Sequence, residues 1–224
     1  MSALAEAVRL SFLATLPSEI VEQLTRDAVR LDVPAGSLIY RHGEAPRLGL
    51  VATGLVRVFL ASVTGRQVTV RYARPGSVLG APTIAAGPVD TSVQALTAAT
   101  VFVFSTAIVE QLGHTDAQFA WTLAGEVARR LYEVLEVFGG NVFGSVRQRV
   151  ARHVLDIAAE HQRGDMLLAP VNQQELADAV GTVREVVARV LRELRDEGLI
   201  STSRRGITLL DPAGLHLVAD LDRE

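Results

Sequence analysis

The 224-residue sequence contains no cysteine, and all 22 of its basic residues are arginine, because it contains no lysine either. Without cysteine there is no disulfide, no thiolate zinc site, no cysteine-ligated iron–sulfur cluster and no cysteine nucleophile. Without lysine, both a P-loop lysine and a Schiff-base lysine are excluded. Long apolar runs are missing too, since charge or glycine interrupts each one short of the roughly 18–20 residues a membrane-spanning helix needs. The N-terminal "MSALAEAVRLSFLATLPSE" lacks a basic start followed by an apolar core, which reads as a cytoplasmic chain with no membrane association. Histidine and glutamate are scarce where a metal-holding barrel would need them: residues 31–105 contain only His42 and Glu44. A metalloenzyme of that kind is not expected, and no catalytic residue or metal ligand is assigned.

What is present describes a folded protein: 49% hydrophobic and 21% charged residues in a chain long enough for two modest domains. The net charge is −3, but residues 140–210 hold ten arginines against nine acids, leaving the remainder at −4. A nucleic-acid surface must therefore be local.

Residues 2–28 carry helical spacing, with Pro17-Ser18-Glu19 as the entry to a helix through Ile20, Leu24 and Val29. From residue 31 to 105, short segments such as "GLVRVFLA" and "RQVTVRYA" alternate with the turn signals "VPAGS", "RHGEAP", "SVTGR" and "ARPGS". This pattern predicts a compact antiparallel barrel or sandwich. From residue 116 to 138 the period becomes helical. Ala120, Ala124, Val127, Leu131, Val134 and Phe138 form a heptad seam, flanked by a second apolar row of Trp121, Ala128 and Leu135. One row is expected to cover the barrel and the other to pair with its copy in a second chain; burial of the helix inside one domain is the alternative. "FGGNVFGS" places three glycines directly afterwards and marks a boundary or hinge.

Residues 171–210 divide into two short helices and a hairpin. Asn172 followed by Glu175 has capping-box spacing, Gly181 stops that helix, and Thr182 followed by Glu185 repeats the start signal. The second helix places Val186, Val187, Val190, Leu191 and Leu194 on one face, with Arg184, Glu185, Ala188, Arg189 and Arg192 opposite. Two helices meeting at a short turn, with small Ala177 permitting close crossing, form a helix-turn-helix pattern. Arginine donates twice to guanine and a carboxylate accepts from the cytosine amino group, so this face suits base reading. A capping role for Glu185 with solvated arginines is the bland alternative. "EGLISTSRRGITLL" then reads as strand, turn and strand with Arg204-Arg205-Gly206 at the tip, a basic wing suited to phosphate.

On these segments the sequence resembles the cyclic-AMP receptor protein and FNR family of bacterial transcription regulators over nearly its whole length. "VPAGSLIYRHGE", "ATGLVRVFL" and "ARPGSVLG" look like the family's barrel, "EVARRLYEVLE" like its dimer helix, and "QQELADAVGTVREVVARVLRELRDEGLI" like its DNA-binding signature. The resemblance implies an α+β fold. An N-terminal jelly-roll barrel of the cyclic-nucleotide-binding type would occupy 1–115, a dimerisation helix 116–138, a hinge 139–145 and a C-terminal winged helix-turn-helix 146–224. Arg184, Glu185 and Arg189 match the family's Arg-Glu-x-x-x-Arg triplet, which implies a homodimer on double-stranded palindromic DNA with half-sites related to TGTGA. The seam Ala120, Ala124, Val127, Leu131, Val134 and Phe138 would be the dimer interface. Val183 and Val186 stand where the best-known members carry phosphate-binding hydroxyls, so Thr182, Arg192, Arg195, Arg204 and Arg205 are the expected phosphate contacts. RNA polymerase is an expected partner if the protein activates transcription.

The resemblance departs at the effector pocket. The family's Gly-Glu-Leu segment reads Gly80-Ala81-Pro82 here, its Arg-Ser pair reads Thr91-Ser92, and the pair that meets adenine is Val134-Leu135, one turn beyond Leu131. Both charged groups are missing. An uncompensated buried phosphate costs on the order of several kcal/mol, so cyclic AMP and cyclic GMP are not expected to bind and no cofactor is assigned. A small apolar or acidic effector, no effector, or haem on a lone histidine all stay open. The rival overall reading is a ligand-sensing barrel whose winged helix mediates protein contacts.

Overall fold

The computed structural model describes residues 2–41, 47–61, 67–87, 91–162 and 164–220; His42, Glu44 and most of the "RHGEAP" and "SVTGR" turns lie outside them. The chain forms two compact units, 1–133 and 134–224.

The first unit begins with α1 (Ala3–Arg9), a 3₁₀ turn (Phe12–Thr15) and α2 (Ser18–Thr25). The helix expected to reach Val29 ends at Thr25, because Val29 opens β1 (Val29–Val33) and pairs with Val103. The remaining strands are β2 (Leu38–Tyr40), β3 (Gly49–Thr53), β4 (Val56–Ala61), β5 (Gln67–Ala73), β6 (Val78–Leu79), β7 (Thr91–Ala95) and β8 (Ala99–Val103). They form two antiparallel four-stranded sheets, ordered β1-β8-β3-β6 and β2-β7-β4-β5. The sheets close over an apolar interior that includes Val51, Val56, Val93, Ala95 and Val101. The sequence pattern does not announce α3 (Ala81–Ala86) or α4 (Thr106–Thr115), both short connections after strands.

Helix α5 (Ala117–Phe143) starts where Asp116 Oδ1 accepts from the Phe119 amide at 2.7 Å. Its most deeply buried residues belong to neither of the two expected rows, although Val127 of the seam packs against them. Phe119 and Leu123 pack into a second apolar cluster with Leu13, Leu24 and Leu112, and Glu126 is buried beside them. Trp121, on the row that was a candidate to cover the barrel, is 82% exposed. The helix also continues through Gly139 and Gly140 to Phe143, past the expected end at 138. Two glycines cost about 1 kcal/mol each but keep every amide donor. The break comes at Gly144 and Ser145, where a Ser145–Gln148 capping box starts α6 (Val146–Glu160).

The second unit follows α6 with β9 (Leu168–Ala169), α7 (Gln173–Val180), α8 (Arg184–Asp196), β10 (Ile200–Ser203), β11 (Gly206–Leu209) and α9 (Pro212–Ala219). Helix α6 packs on α7, α8 and α9 around Val154, Leu155, Leu176, Val190 and Leu194. Among the described residues, no helix is long and apolar enough to cross a membrane.

Candidate nucleic-acid interface

Helix α7 begins as its sequence dictates. Asn172 Oδ1 accepts from the amides of Gln174 and Glu175 at 2.9 Å, and Glu175 Oε2 accepts from the Asn172 amide at 2.9 Å. It ends at Gly181, whose φ of 69° is the left-handed conformation that closes many helices. The amides of both Gly181 and Thr182 donate to Ala177 O. Ala177 is fully buried, so the crossing with α8 needs a small side chain there.

The second capping box does not form. The N-cap of α8 is Val183, and no side chain caps it. The Thr182 amide is held by the exit of α7, which leaves Thr182 outside the α8 entry. Glu185 is therefore not engaged as a cap. It stands exposed in the first turn beside Arg184, with Arg189 and Arg192 further along the same face. None of these four side chains makes a hydrogen bond or ion pair within the described residues. Val187, Val190, Leu191 and Leu194 are buried on the opposite face, which fixes the orientation of the charged one. Val186 is half-buried. From Arg184 to Arg189 the helix rises about 7.5 Å, close to two base steps of about 3.4 Å each.

Two acids at the far end of the helix, Glu193 and the C-cap Glu197, are engaged by another helix. Arg147 of α6 pairs with Glu193 at 3.3 Å and with Glu197 at 2.7 Å, a link the sequence pattern gave no sign of. Arg195 Nη1 donates to Thr202 Oγ1 at 3.1 Å, tying the helix to the wing. In the wing, β10 and β11 pair from Ile200 opposite Leu209 to Ser203 opposite Gly206. Arg204 and Arg205 are exposed at the tip, and β9 pairs with β11 to complete a three-stranded sheet. A polar recess beside Gly181, lined by Arg149, Arg152, His153 and Asp156 of α6, adds charge to the same unit that sequence reading did not single out.

In the first unit, Gly80 precedes α3 with φ 79°, and a Cβ there would overlap the Arg47 carbonyl oxygen. A tight turn thus accounts for Gly80 without any ligand. Ala81 is buried, Pro82 is half-buried, and Thr91 and Ser92 are half-buried on β7. The buried polar groups of this unit are elsewhere: Arg57 donates to Gln94 Oε1 at 3.0 Å and lies 4.3 Å over the Phe59 ring, while Arg71 and Glu126 are enclosed as well. On α5, Leu131 is 60% exposed, Leu135 54% and Val134 40%. Ala124 is exposed, Ala120 and Val127 are half-buried, and the Phe138 side chain lies outside the described residues. Among the described residues, no three His, Asp or Glu side chains come together as metal ligands.

The Crp-like helix-turn-helix domain family matches residues 148–218, and the cyclic nucleotide-binding domain family matches residues 30–116. The chain is 32% identical over 184 residues to the transcriptional regulator LdrP of Thermus thermophilus, covering 80% of this chain and 90% of that one. It is 28% identical over 182 residues to the cAMP-activated global transcriptional regulator CRP of Salmonella typhimurium, covering 79% and 87%. Among solved structures, a regulator assigned to the crp/fnr family from Eubacterium rectale superposes with a TM-score of 0.60 at 20% identity, covering 93% of this chain and 97% of that one.

Proposed function

This chain belongs to the CRP/FNR family of bacterial transcription regulators, and we propose that it acts as a cytoplasmic homodimer that reads a palindromic DNA site related to TGTGA half-sites. The observation that carries this reading is the exposed face of α8, where Arg184, Glu185 and Arg189 have no partner among the described residues. Two arginines placed to donate twice to guanine, with a carboxylate between them to accept from a cytosine amino group, form a base-reading set. A carboxylate among phosphates is unfavourable unless it pairs with a base. Thr182, Arg192, Arg195, Arg204 and Arg205 supply phosphate contacts that set the register.

The dimer forms along α5. A lone chain exposing Trp121, Leu131, Tyr132, Val134 and Leu135 on one helix carries an apolar surface that a second copy would cover. Two-fold symmetry then places the half-sites about one helical turn apart. Movement of α5, passed through the break at Gly144 and Ser145, would change the spacing of the two recognition helices. As an activator the dimer would also contact RNA polymerase.

The cyclic-nucleotide reading does not carry over from the cAMP-activated relative. Gly80, Ala81, Pro82, Thr91 and Ser92 offer neither a carboxylate for a ribose nor a guanidinium for a phosphate, and Leu131, Val134 and Leu135 offer no hydrogen bond to a base. Calorimetry on the purified protein checks this: submicromolar binding of cyclic AMP would overturn it. For DNA, anisotropy titrations compare a duplex carrying two TGTGA-type arms with a scrambled duplex over a range of salt. The expected result is tighter binding to the palindrome with a steep salt dependence. Equal affinity for both duplexes would favour a winged helix that contacts protein instead.

A further inference from the structure

We infer that the barrel of the first unit is an anion site built on Arg71, and that its effector is a small monocarboxylate with an apolar body. This rests on the reading of that barrel as the sensory part of a DNA-binding regulator.

Arg71 lies on β5 opposite Val58, which in turn lies opposite Val93 on β7. Directly opposed residues share a sheet face, and Val58 and Val93 belong to the interior cluster, so Arg71 enters the barrel. Its Nη2 crosses to the other sheet and donates to Val78 O at 2.7 Å. The residue as a whole is half-buried, but its Nη1 is sealed from solvent and has no hydrogen-bond partner among the described residues. Buried donors left unmatched are rare in folded proteins.

The neighbouring acids lie against other arginines. Glu126 pairs with Arg129 and Arg130, and Glu133 accepts two bonds of 2.7 Å from Arg130 Nη1. Among the described residues, three guanidinium groups thus lie near two carboxylates. Arg130 Nε is a second enclosed donor without a partner there. Burial, reinforced by the Arg130 cation, pushes the Arg71 guanidinium down to about 9, and Glu133 offsets only part of this. Arg57 does not share the task, since it is directed at Gln94 and Phe59.

A carboxylate fits these enclosed, unmatched donors in charge and shape: it carries a single negative charge, and its two coplanar oxygens match a guanidinium fork. The surroundings favour an apolar body over a nucleoside. Val58, Val93 and Ala73 offer no hydrogen bond and the Thr83 hydroxyl is spent on Gly80 O at 2.7 Å, while Tyr40, packed on the same interior, and the enclosed Thr69 hydroxyl are the polar groups nearby.

The test is calorimetry and thermal melting of the full-length protein without DNA, using acetate, butyrate and benzoate, with cyclic AMP and inorganic phosphate as comparison arms. The expected result is that butyrate or benzoate binds more tightly than acetate and raises the melting temperature. Binding should fall at least tenfold in both Arg71→Gln and Arg71→Met. Two variants are used so that a folding defect in one does not decide the matter. Absence of carboxylate binding, equal binding by the variants, or a preference for cyclic AMP or phosphate would each overturn the proposal. DNA binding is measured separately on the untreated protein, so failure of the DNA reading is seen independently of this site.

Discussion

The arginines on the outer face of α8 and those inside the first unit are used in opposite ways. On α8, Arg184, Arg189 and Arg192 stand in water with no partner among the described residues. In the first unit, Arg57, Arg71 and Arg130 are enclosed and directed at particular acceptors. A solvated arginine costs little to leave unpaired, so a row of them on one helical face is available to an arriving partner. An enclosed arginine must be matched from within, so each interior one reports on the groups around it. The exposed row speaks of a polyanion, and the interior set speaks of local charge balance. Among the described residues, Arg71 Nη1 and Arg130 Nε are enclosed donors left without a partner.

Substitutions that test this contrast fall in a clear order. The largest stability loss is expected at Glu126, whose carboxylate is buried between Arg129 and Arg130. Glu126→Ala leaves Arg130 enclosed without that partner and should cost about 3 kcal/mol, discounted for the exposed Arg129, as read by urea unfolding. Arg189→Ala should leave stability within about 0.5 kcal/mol yet weaken specific DNA binding by about 1–3 kcal/mol and relax discrimination at one base pair. If it unfolds the protein instead, the contrast between solvated and enclosed arginines is wrong.

Arg71→Met should raise the melting temperature of the ligand-free protein by a few degrees, because a buried uncompensated cation is lost. The sign with pH follows from the depressed value of about 9. Below it, both folded and unfolded states hold the proton and the penalty is fully present. As pH rises from about 9 towards the ordinary arginine range, the folded state releases the proton first, so the wild type gains stability relative to the variant. Melting curves at pH 7, 9 and 10 should show the gap narrowing. The smallest effect is expected in the wing, where Arg204→Ala and Arg205→Ala should each reduce the salt slope by about one and weaken random and specific duplexes alike.

The helix-turn-helix was legible because its signals are local: a capping box, a glycine that permits positive φ and an amphipathic run all act within a few residues. The same locality misled at Thr182 and Glu185. Their spacing suits a cap, but the Gly181 turn draws the Thr182 amide back to Ala177 O, and the next helix starts one residue later. On α5 the heptad rows were visible while Phe119 and Leu123 were not, since the choice of buried face depends on Leu13, Leu24 and Leu112 from distant segments. The paired glycines suggested a stop, but a helix of 27 residues tolerates them. Arg71 was illegible for a different reason. Alternation assigns a strand residue to a face only while the register holds, and β4 and β5 slip between Val58 and Phe59, beside Arg71.

The most direct test of DNA reading by α8 is selection of bound sequences from random duplexes by the untreated full-length protein, run beside Arg189→Ala. The expected result is a palindrome with TGTGA-related arms about one helical turn apart, with one position of each arm losing its base preference in the variant. Recovery of no motif, or of an identical motif by both proteins, would contradict base reading by Arg184, Glu185 and Arg189.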